Sequence, residues 1–553
     1  MAQLVLGPLL RHVEGTEATI WVETDGPCEV SVLGETHRTF CVEGHHYALV
    51  EVSGLEAGTA TPYEIALDGE TVWPEPSSEL PASTIRVPVP DEETRVIFGS
   101  CRVSLPHEPP WVLHQSEHPD AQGIDALRAF ALRLARGEEG LPDCLLMLGD
   151  QIYADDLSPD MRKVTEDRGE PDGAPDDELA DFDEYCLAYR EAWSEPLIRW
   201  LLSTVPVAMI FDDHEVHAQW KISAAWQRKL EAKPWYERHI SAGLMAYWLY
   251  QHVGNLSLTE LERHDLLREV RARGRDGDAG EYLRREMADA DRQADHSRWS
   301  YYRDLGASRL IVIDSRAGRE LEPGRRRMIN DGEWDWIVEH AKGDYRHVLL
   351  ASSVPFFLTP GLHHAEATVA ALVDGGRRRP GVRRVAEKLR EAAVMDHWAS
   401  FPDSFGRLVG LLERIATGDH GEGTAPQSIL MLSGDVHHCY LAEVELSEAE
   451  EATSRIWQAV CSAYRKDLAP REKRVMQIGN SGPFEALARR LARLAGARSQ
   501  PVSWRLCEEP SYENQVACLT LGEHHANVRV ETAAGADWRD PDLRTVFERD
   551  LCP

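Results

Sequence analysis

The first 90 residues alternate apolar and polar positions over short stretches that Gly, Asp and Pro residues separate. This alternation, seen in EATIWVETD, CEVSVLG, HYALVEVSGL and TPYEIALDGETVW, predicts half-buried β-strands. Several short strands at this spacing are typical of a small sandwich of two sheets. The segment WPEPSSELPAS, rich in Pro and Ser, follows as a predicted linker. The sequence therefore predicts an N-terminal β-sandwich domain over residues 1–90.

From about residue 92 to 465, apolar runs alternate with longer stretches of helical periodicity. This order predicts an α/β layer fold, with strands at 95–100, 143–148, 205–211, 309–313, 347–352 and 429–432. A helical insertion is expected at about 220–300, and its aromatic part, SAGLMAYWLYQHVG, should pack on the core or cover the site. The last 85 or so residues return to strand-like alternation and close with a segment that we expect to be helical. Residues 91–553 are thus predicted to form a larger domain that carries this insertion and a C-terminal β/helical extension.

Four of the predicted strands end in residue types that bind metal ions. The strand in RVIFGSC ends at Cys101, and LLMLGDQIY places Asp150 and Tyr153 just past its strand. The patterns PVAMIFDDHE and ILMLSGDVHH end in further candidates, which are Asp212, Asp213, His214, Asp435 and His437. Sites in open α/β sheets form at the carboxyl edge of the strands. Four such endings together predict one polar cluster at this edge and a metal-dependent active site.

The residue types after the first two strands favour a ferric ion. A carboxylate such as Asp150 can give one oxygen to each of two metal ions and so bridge them. A phenol normally ionises near pH ~10, so tyrosinate at Tyr153 binds well only to a strong Lewis acid such as Fe(III). A thiolate at Cys101 needs a positive neighbour, which a ferric ion supplies. Taken singly, these residues also have ordinary interpretations, as a helix cap, a semi-buried tyrosine and a core cysteine.

The other two strand ends suggest a second metal ion and a proton donor. One carboxylate of the DDHE segment can bind that second ion. His214 then stands where an imidazole can stabilise or protonate a departing alkoxide, although a buried structural Asp-His pair is the alternative. Asp435 and His437 are two residues apart, so both can face the same side of an extended segment.

Composition excludes several classes of function. The chain of 553 residues carries 93 acidic and 60 basic side chains, a formal net charge of −33, so we expect no nucleic-acid-binding surface. No apolar run reaches the ~18 residues of a membrane span, and the N-terminal residues lack the features of an export signal, which predicts a cytoplasmic protein. The ten cysteines are scattered and form no C-x-x-C pair, which disfavours a disulfide framework or a zinc knuckle. The oligomeric state cannot be read from the sequence.

The blocks GSC, GDQIYAD, DDHE and SGDVHH, in this order, resemble those of the alkaline phosphatase D (PhoD-like) family of the calcineurin-like metallophosphoesterase superfamily. CSAYRKDL and the N-terminal unit that begins with GPLLRHV also resemble features of that family, so the resemblance covers nearly the whole chain. It implies a four-layer α/β/β/α fold and the hydrolysis of a small-molecule phosphate ester with iron and calcium.

The resemblance also implies a ligand set. The ferric ion would be held by Cys101, Asp150, Tyr153 and His437, and Asp150 would bridge to a second ion. Asp213 and Asp435 would complete that second site, and their carboxylates favour Ca²⁺, or otherwise Mg²⁺ or Mn²⁺, over zinc. A hydroxide activated by the metals would attack phosphorus, and His214 would assist the leaving oxygen.

Three departures from the family pattern keep an alternative open. Ala218 and Gln219 follow DDHE where relatives commonly carry Asp or Asn, and Ser353 lies where many superfamily members supply a histidine ligand. The third is the missing export signal, since many relatives are secreted. The alternative is therefore a catalytically weak relative that binds a phosphorylated ligand or partner protein. Monoester and diester substrates are not distinguished by these residues.

Two arginines and one basic run have two interpretations each. Arg102, beside Cys101, can clamp a phosphoryl oxygen or pair with a surface acid. Arg316, in VIDSRAG after another strand, can form an internal ion pair or contact the substrate. The run GRRRPGVRR at 376–384 can recruit anionic substrates or form a solvated loop.

Overall fold

The computed structural model describes residues 2–89, 92–169, 173–322, 325–375, 380–419, 421, 423–447, 449, 451–535 and 537–552. The run at 376–384 therefore lies partly outside the described residues. The N-terminal strands are β1 Leu4–Glu14, β2 Glu17–Thr24, β3 Glu29–Val32, β4 Glu35–Arg38, β5 Phe40–Val42, β6 His45–Val52, β7 Ala60–Pro62, β8 Ile65–Leu67, β9 Glu70–Trp73 and β10 Thr84–Arg86.

Two four-stranded antiparallel sheets form the N-terminal domain. Their strand orders are β1-β2-β6-β5 and β4-β3-β8-β9, and β7 pairs with β10 separately. Ile20 and Val50 from the first sheet and Val30 and Ile65 from the second are fully buried in one shared core. The alternation of apolar and polar residues thus produced two sheets packed face to face, and the predicted sandwich is confirmed.

The larger domain contains two stacked sheets. The first, with order β13-β12-β11-β21-β22-β23, consists of β11 Thr94–Gly99, β12 Cys144–Leu148, β13 Val207–Ile210, β21 Gln515–Leu521, β22 Ala526–Ala534 and β23 Asp542–Asp550. The second, with order β14-β15-β16-β17-β19-β18-β20, consists of β14 Tyr301–Leu305, β15 Ser308–Ile313, β16 His347–Ser352, β17 Ser428–Ser433, β18 Tyr440–Leu446, β19 Arg455–Val460 and β20 Val502–Leu506. The strands β11, β12 and β13 are mutually parallel, and so are β15, β16 and β17.

Fifteen α-helices are found in the described part of the chain. They are α1 Ala126–Ala135, α2 Pro159–Arg168, α3 Phe182–Trp193, α4 Pro196–Thr204, α5 Ala224–Glu231, α6 Tyr236–Ala246, α7 Leu258–Arg263, α8 Asp265–Asp276, α9 Gly280–Arg292, α10 Asp331–His340, α11 Pro360–Gly375, α12 Pro380–Ala392, α13 Pro402–Thr417, α14 Pro470–Gly479 and α15 Gly482–Ala495.

Alternate residues of β15 show how the layers are built. Leu310 and Val312 join the core between the two sheets, whereas Ile311 and Ile313 join a second core with α10 and α13. Because successive side chains of a strand point to opposite faces, the second sheet is covered on both sides. On the other side of the molecule, α1 packs against β21, β22 and β23. The order helix, sheet, sheet, helix confirms the predicted four-layer α/β/β/α fold.

The helical insertion between β13 and β14 contacts the N-terminal domain. Its aromatic segment, α6 and the helical turns that follow to residue 255, is buried. The guanidinium of Arg11 on β1 donates hydrogen bonds to the carbonyls of Tyr250 and Gln251 at 2.5 and 2.6 Å. This aromatic segment therefore packs on the core, which is one of the two placements that the sequence suggested.

The C-terminal segment expected to be helical is the edge strand β23. Its buried residues Leu543 and Phe547 are four apart, which imitates helical spacing. The pairing of β22 with β23 also shifts register between Val530 and Glu531, as a β-bulge does. The helices of the C-terminal region are instead α14 and α15. Among the described helices, none has the length and apolar character that crossing a bilayer requires.

Candidate metal centre

The carboxyl edges of the two sheets meet, and the candidate ligands lie there. Cys101 follows β11, Asp150 follows β12 and Asp435 follows β17 by two residues each. The backbone N–H of Asp435 donates to Oγ of Ser100 at 3.0 Å, which joins the edge of one sheet to that of the other. The strand ends thus bring the predicted residues into one cluster.

Four candidate ligands have a left-handed backbone. The φ angles of Cys101, Asp150, Asp435 and His437 are +57°, +55°, +68° and +49°. Residues other than glycine adopt this region at a cost, and such residues concentrate at functional sites. A close approach is also needed at Gly149, where a Cβ would come within 2.6 Å of Cβ of Asp212.

Glu215, which the sequence analysis did not single out, stabilises these turns. Its carboxylate accepts hydrogen bonds from the backbone N–H groups of Asp150 and Gln151 at 2.9 Å and of Asp212 at 2.6 Å. One buried side chain therefore holds the ends of β12 and β13 together. The only sequence signal for it was its place in the DDHE block.

The first group of ligands contains Cys101, Asp150 and His437, whose ligand atoms lie within 4.8 Å of one another. Sγ of Cys101 is 3.2 Å from Oδ2 of Asp150, while Oδ1 of Asp150 is buried without a hydrogen-bond partner. The hydroxyl of Tyr153, packed in the same small cluster as Cys101, is also buried without a partner. Buried polar atoms without partners are costly, and a bound cation satisfies them. These residues therefore fit a metal ion.

The protonation states of these candidate ligands depend on whether a metal cation is bound. Burial, followed by the carboxylates of Asp150 and Asp435, raises the pKa of the Cys101 thiol well above its ordinary range. Burial likewise raises the pKa of Tyr153 well above its usual value and that of Asp150 to about 6. Burial lowers the pKa of His437 to about 3. A metal ion would reverse the first three effects, because its charge favours the ionised ligands.

The second group contains Asp150, Asp212 and Asp213, with ligand atoms again within 4.8 Å. Oδ2 of Asp212 is buried without a partner. Oδ2 of Asp213, the residue chosen from the sequence, accepts a hydrogen bond from the backbone of Gln219 at 2.6 Å. Asp150 belongs to both groups, which is the geometry that a bridging ligand requires.

Arg316 lies between the acidic side chains. It is fully buried and forms ion pairs with Asp212 and Asp396. Its Nη2 is also 3.4 Å from Oδ1 of Asp213 and 3.6 Å from Oδ1 of Asp435. Of the two interpretations left open by the sequence, the structure thus supports the internal ion pair, here with several carboxylates at once.

Asp435 is oriented by two residues that the sequence analysis missed. Nε2 of His397 lies 3.0 Å from Oδ2 of Asp435, and Nδ1 of His397 lies 2.7 Å from Oε1 of Glu366 on α11. Burial alone would raise the pKa of Asp435, but His397 and Arg316 hold it below its ordinary value. No strand end precedes His397 or Glu366, so no pattern in the sequence indicated them.

His214 is held by Asp155. Its Nδ1 lies 2.6 Å from Oδ1 of Asp155, and its ring packs on Tyr153 with the centroids 4.9 Å apart. The side chain keeps 29% of its surface exposed, so it borders the solvent-facing side of the cluster. Lys466, also missed, lies over the ring of Tyr153, with Nζ 4.2 Å from the ring centroid, and forms an ion pair with Asp156.

Arg102 does not join the cluster, which corrects the expected phosphoryl contact. The side chain is buried, its Nε donates to Asp125 at 2.8 Å and its Nη1 donates to the carbonyl of Ala192 at 2.7 Å. Sγ of the adjacent Cys101 instead lies 3.2 Å from Oδ2 of Asp150. The cysteine therefore belongs to the site, while the arginine forms a buried structural ion pair.

Carboxylate, thiol, phenol and imidazole groups thus lie together at the joined edges of two sheets, and this donor set fits the centre of a metal-dependent enzyme. A family model described as PhoD-like phosphatase matches residues 126–483, and the chain belongs to this family. A second family model, a domain of unknown function named DUF7800, matches residues 1–85. Its membership of this family, together with the candidate metal ligands, identifies the chain as a metal-dependent phosphoesterase.

A solved structure shows the same fold, and a second one is similar to the chain at a lower score. A structure entitled "Structure of PhoD" aligns over 100% of this chain and 91% of that chain, with a TM-score of 0.58 and 13% sequence identity. A purple acid phosphatase, PPD1 from yellow lupin (Lupinus luteus) seeds, aligns over 99% of this chain and 74% of that chain, with a TM-score of 0.48 and 11% identity. No curated protein matches the sequence.

Proposed function

We propose that this chain hydrolyses phosphate mono- or diesters with two different metal ions. Fe(III) would be held by Cys101, Asp150, Tyr153 and His437, and Ca²⁺, or Mg²⁺ or Mn²⁺ in its place, by Asp150, Asp213 and Asp435. The main support for this proposal is that three oxygen atoms of the cluster are buried without a hydrogen-bond partner. They are Oδ1 of Asp150, the hydroxyl oxygen of Tyr153 and Oδ2 of Asp212. Asp212 is therefore a further candidate for the second ion.

The chain's own residues would then position the ester and move a proton. When bound, the two ions would supply Lewis acidity toward the phosphoryl oxygens and toward the attacking water. His214, with Asp155 on its Nδ1, presents Nε2 as the nitrogen that can protonate the leaving oxygen. Lys466 adds a positive charge beside Tyr153 that can attract the phosphate dianion.

Two departures from the family pattern do not weaken the proposal. The backbone N–H groups of Ala218 and Gln219 donate hydrogen bonds to Asp155 and Asp213, respectively, at 2.6 Å each. Because these donors belong to the backbone, the contacts do not depend on which side chains stand at the two positions. Ser353, in place of a histidine, donates from Oγ to Oδ1 of Asp212 at 3.1 Å. These contacts support a functional cluster over the alternative of a weak relative that only binds phosphorylated molecules.

The test is turnover by the full chain on nitrophenyl phosphate and on bis(nitrophenyl) phosphate. The protein is assayed as purified, after chelation, and after addition of iron with each of Ca²⁺, Mg²⁺ and Mn²⁺. We expect hydrolysis of at least one ester, its loss on chelation and its return with iron and one second ion. Binding of phosphate without turnover under all these conditions would support the alternative function.

A further inference from the structure

Exposed apolar side chains concentrate in one region far along the chain from the N-terminal domain. Of the ten large apolar side chains that are exposed among the described residues, nine lie on α12, α14 and α15 or just after α12. The tenth is Leu33, in the N-terminal domain. Single exposed apolar residues are normal, whereas a cluster of them marks an interaction surface.

The helix α15 shows the feature most clearly. Leu487, Leu491 and Leu494 are 54%, 45% and 75% exposed, and their spacing of four and three residues places them on one face. Only Ala488 and Ala492 of this helix are buried. An amphipathic helix normally buries its leucine stripe against the protein, but α15 packs through its alanines and turns the leucines outward.

The neighbouring helices repeat this arrangement. On α12, Val385 and Leu389 are 68% and 48% exposed, and on α14, Val475 and Ile478 are 62% and 63% exposed. Both α12 and α15 pack against α11, and α14 leads directly into α15. We call the outward surface of α12, α14 and α15 the basic apolar face.

The charge of this face is opposite to that of the whole molecule. Residues 470–498, which span α14 and α15, contain seven basic and two acidic side chains, a net charge of +5 in a chain of −33. The exposed Arg490 and Arg493 stand beside the leucines of α15, and α12 adds Arg384 and Lys388. Leucines flanked by arginines and lysines are the pattern of helices that lie in the plane of a membrane surface.

We propose that the basic apolar face docks on the surface of a bilayer that contains anionic lipid. Anionic headgroups would pair with the arginines while the leucines enter the boundary between headgroups and acyl chains. Because the rest of the chain is strongly acidic, such a bilayer attracts this face and repels the others, which fixes the orientation. A second copy of the chain is a poorer occupant of this face. A two-fold contact would place the same patch on both sides, so the arginines of one copy would face those of the other and repel them.

Docking there would place the metal centre near the bilayer. His397, which contacts Asp435, follows the end of α12 by five residues. Lys466, which lies over Tyr153, precedes the start of α14 by four residues. The face and the centre are therefore connected by short segments at two places. The proposal does not rest on phosphoesterase activity, since docking can be measured without turnover.

The test is sedimentation of the full chain with vesicles of phosphatidylcholine, alone or mixed with phosphatidylglycerol. One variant combines Leu491→Ser with Leu494→Ser, and a second combines Arg490→Glu with Arg493→Glu. Leu33→Ser and Arg268→Glu are matched controls, since both residues are exposed and lie elsewhere. All the changes are at exposed positions, so each variant should keep the thermal unfolding curve of the unmodified chain.

We expect binding to the anionic vesicles, little binding to pure phosphatidylcholine, and weakening of the binding by high salt. Each removed basic residue should weaken binding roughly five-fold, and the leucine variant should bind at least about ten-fold more weakly. The controls should bind like the unmodified chain. Absence of the unmodified chain from the anionic pellet, or equal binding by all variants, would overturn the proposal. Leucine-dependent dimers in light scattering without vesicle binding would assign the face to self-association instead.

Discussion

Nδ1 of His214 lies 2.6 Å from Oδ1 of Asp155, whose second oxygen accepts the backbone N–H of Ala218 at 2.6 Å. The backbone of Ala218 thus fixes one oxygen of the Asp155 carboxylate, and the other oxygen orients the imidazole of His214. Burial would lower the pKa of His214, but Asp155, Asp150 and Asp213 raise it well above its ordinary value. In the absence of metal ions, this environment favours the protonated imidazole that a proton donor requires.

Replacement of His214 should separate two kinds of ester. His214→Ala should keep its metals but slow the hydrolysis of alkyl phosphates by about 10²–10⁴-fold, the usual contribution of general acid catalysis. Nitrophenyl esters should be affected less, since their leaving group needs little protonation. Asp155→Asn should show the same pattern with a smaller loss, because the imidazole remains but is no longer oriented.

Asp156→Asn is the matched control for this experiment, because Asp156 is the next residue and pairs with Lys466 outside the His214 contact. Its ratio of alkyl to nitrophenyl rates should stay unchanged. Loss of metal from His214→Ala would make His214 a ligand. An equal loss on both esters would mean that it positions the phosphate.

The two aspartates that follow β12 and β17 should differ in the number of metal ions that they bind. Asp150 belongs to both ligand groups, whereas Asp435 lies beside the second group and Arg316. Asp150→Ala should therefore lose both metal ions and nearly all activity, and Asp435→Ala should lose mainly the second ion. Metal content per chain measures this, with the exposed Asp403→Ala as control. Equal iron in the two variants would contradict the bridging role of Asp150.

The chain should be purple or violet when iron is bound, because tyrosinate on Fe(III) gives a visible charge-transfer band. Tyr153→Phe should remove this band and leave the fold intact, since the phenyl ring keeps its packing against Cys101. Absorption and circular dichroism spectra of the two proteins measure the change. An unchanged visible band in Tyr153→Phe would exclude this tyrosine as the ligand.

Arg102 should matter for stability and not for substrate affinity. Arg102→Met leaves the buried carboxylate of Asp125 without its ion pair, which should cost about 3–5 kcal/mol of unfolding free energy. Arg544→Met, at an exposed ion pair with Glu513, should cost at most about 1 kcal/mol. Urea denaturation measures both. A rise in KM with unchanged stability would restore the substrate contact that the sequence suggested.

The same ion pair gives a pH dependence. Burial would raise the pKa of Asp125, but Arg102 and other nearby positive groups hold it below the ordinary value. The unfolded chain therefore takes up a proton at higher pH than the folded chain. The stabilisation is present above the unfolded pKa of ~3.9 and is lost as the pH falls through the folded value. The unmodified chain should accordingly lose this part of its stability as the pH falls below about 4, which urea denaturation at several pH values measures.

The sequence predicted which residues lie together at the sheet edge, because strand ends are encoded locally. A run of apolar residues indicates a buried strand, and the polar residue that follows it, as in Leu148-Gly149-Asp150, must lie at the edge of the sheet. The six predicted strands of the larger domain are confirmed, with ends that differ by at most two residues. Cys101 and His437 met Asp150 for the same reason.

Contacts made across the fold could not be predicted in this way. His397 reaches Asp435 from a loop after α12, and Arg316 reaches Asp396 across 80 residues, so no spacing in the sequence reports either pair. The two arginines beside strand ends looked equivalent, yet Arg102 faces Asp125 while Arg316 faces the cluster. The strand β23 was predicted to be a helix, because its buried residues Leu543 and Phe547 are four residues apart, as on one face of a helix.

Element-resolved metal analysis of the purified full chain decides whether the cluster holds two different metal ions. We expect about one iron per chain together with a second, hard ion such as calcium. The activity should disappear when both are removed and return when both are restored. A colourless, active protein that contains stoichiometric zinc and no iron would contradict the ferric site, and full activity without any bound metal would contradict a metal-dependent reaction altogether.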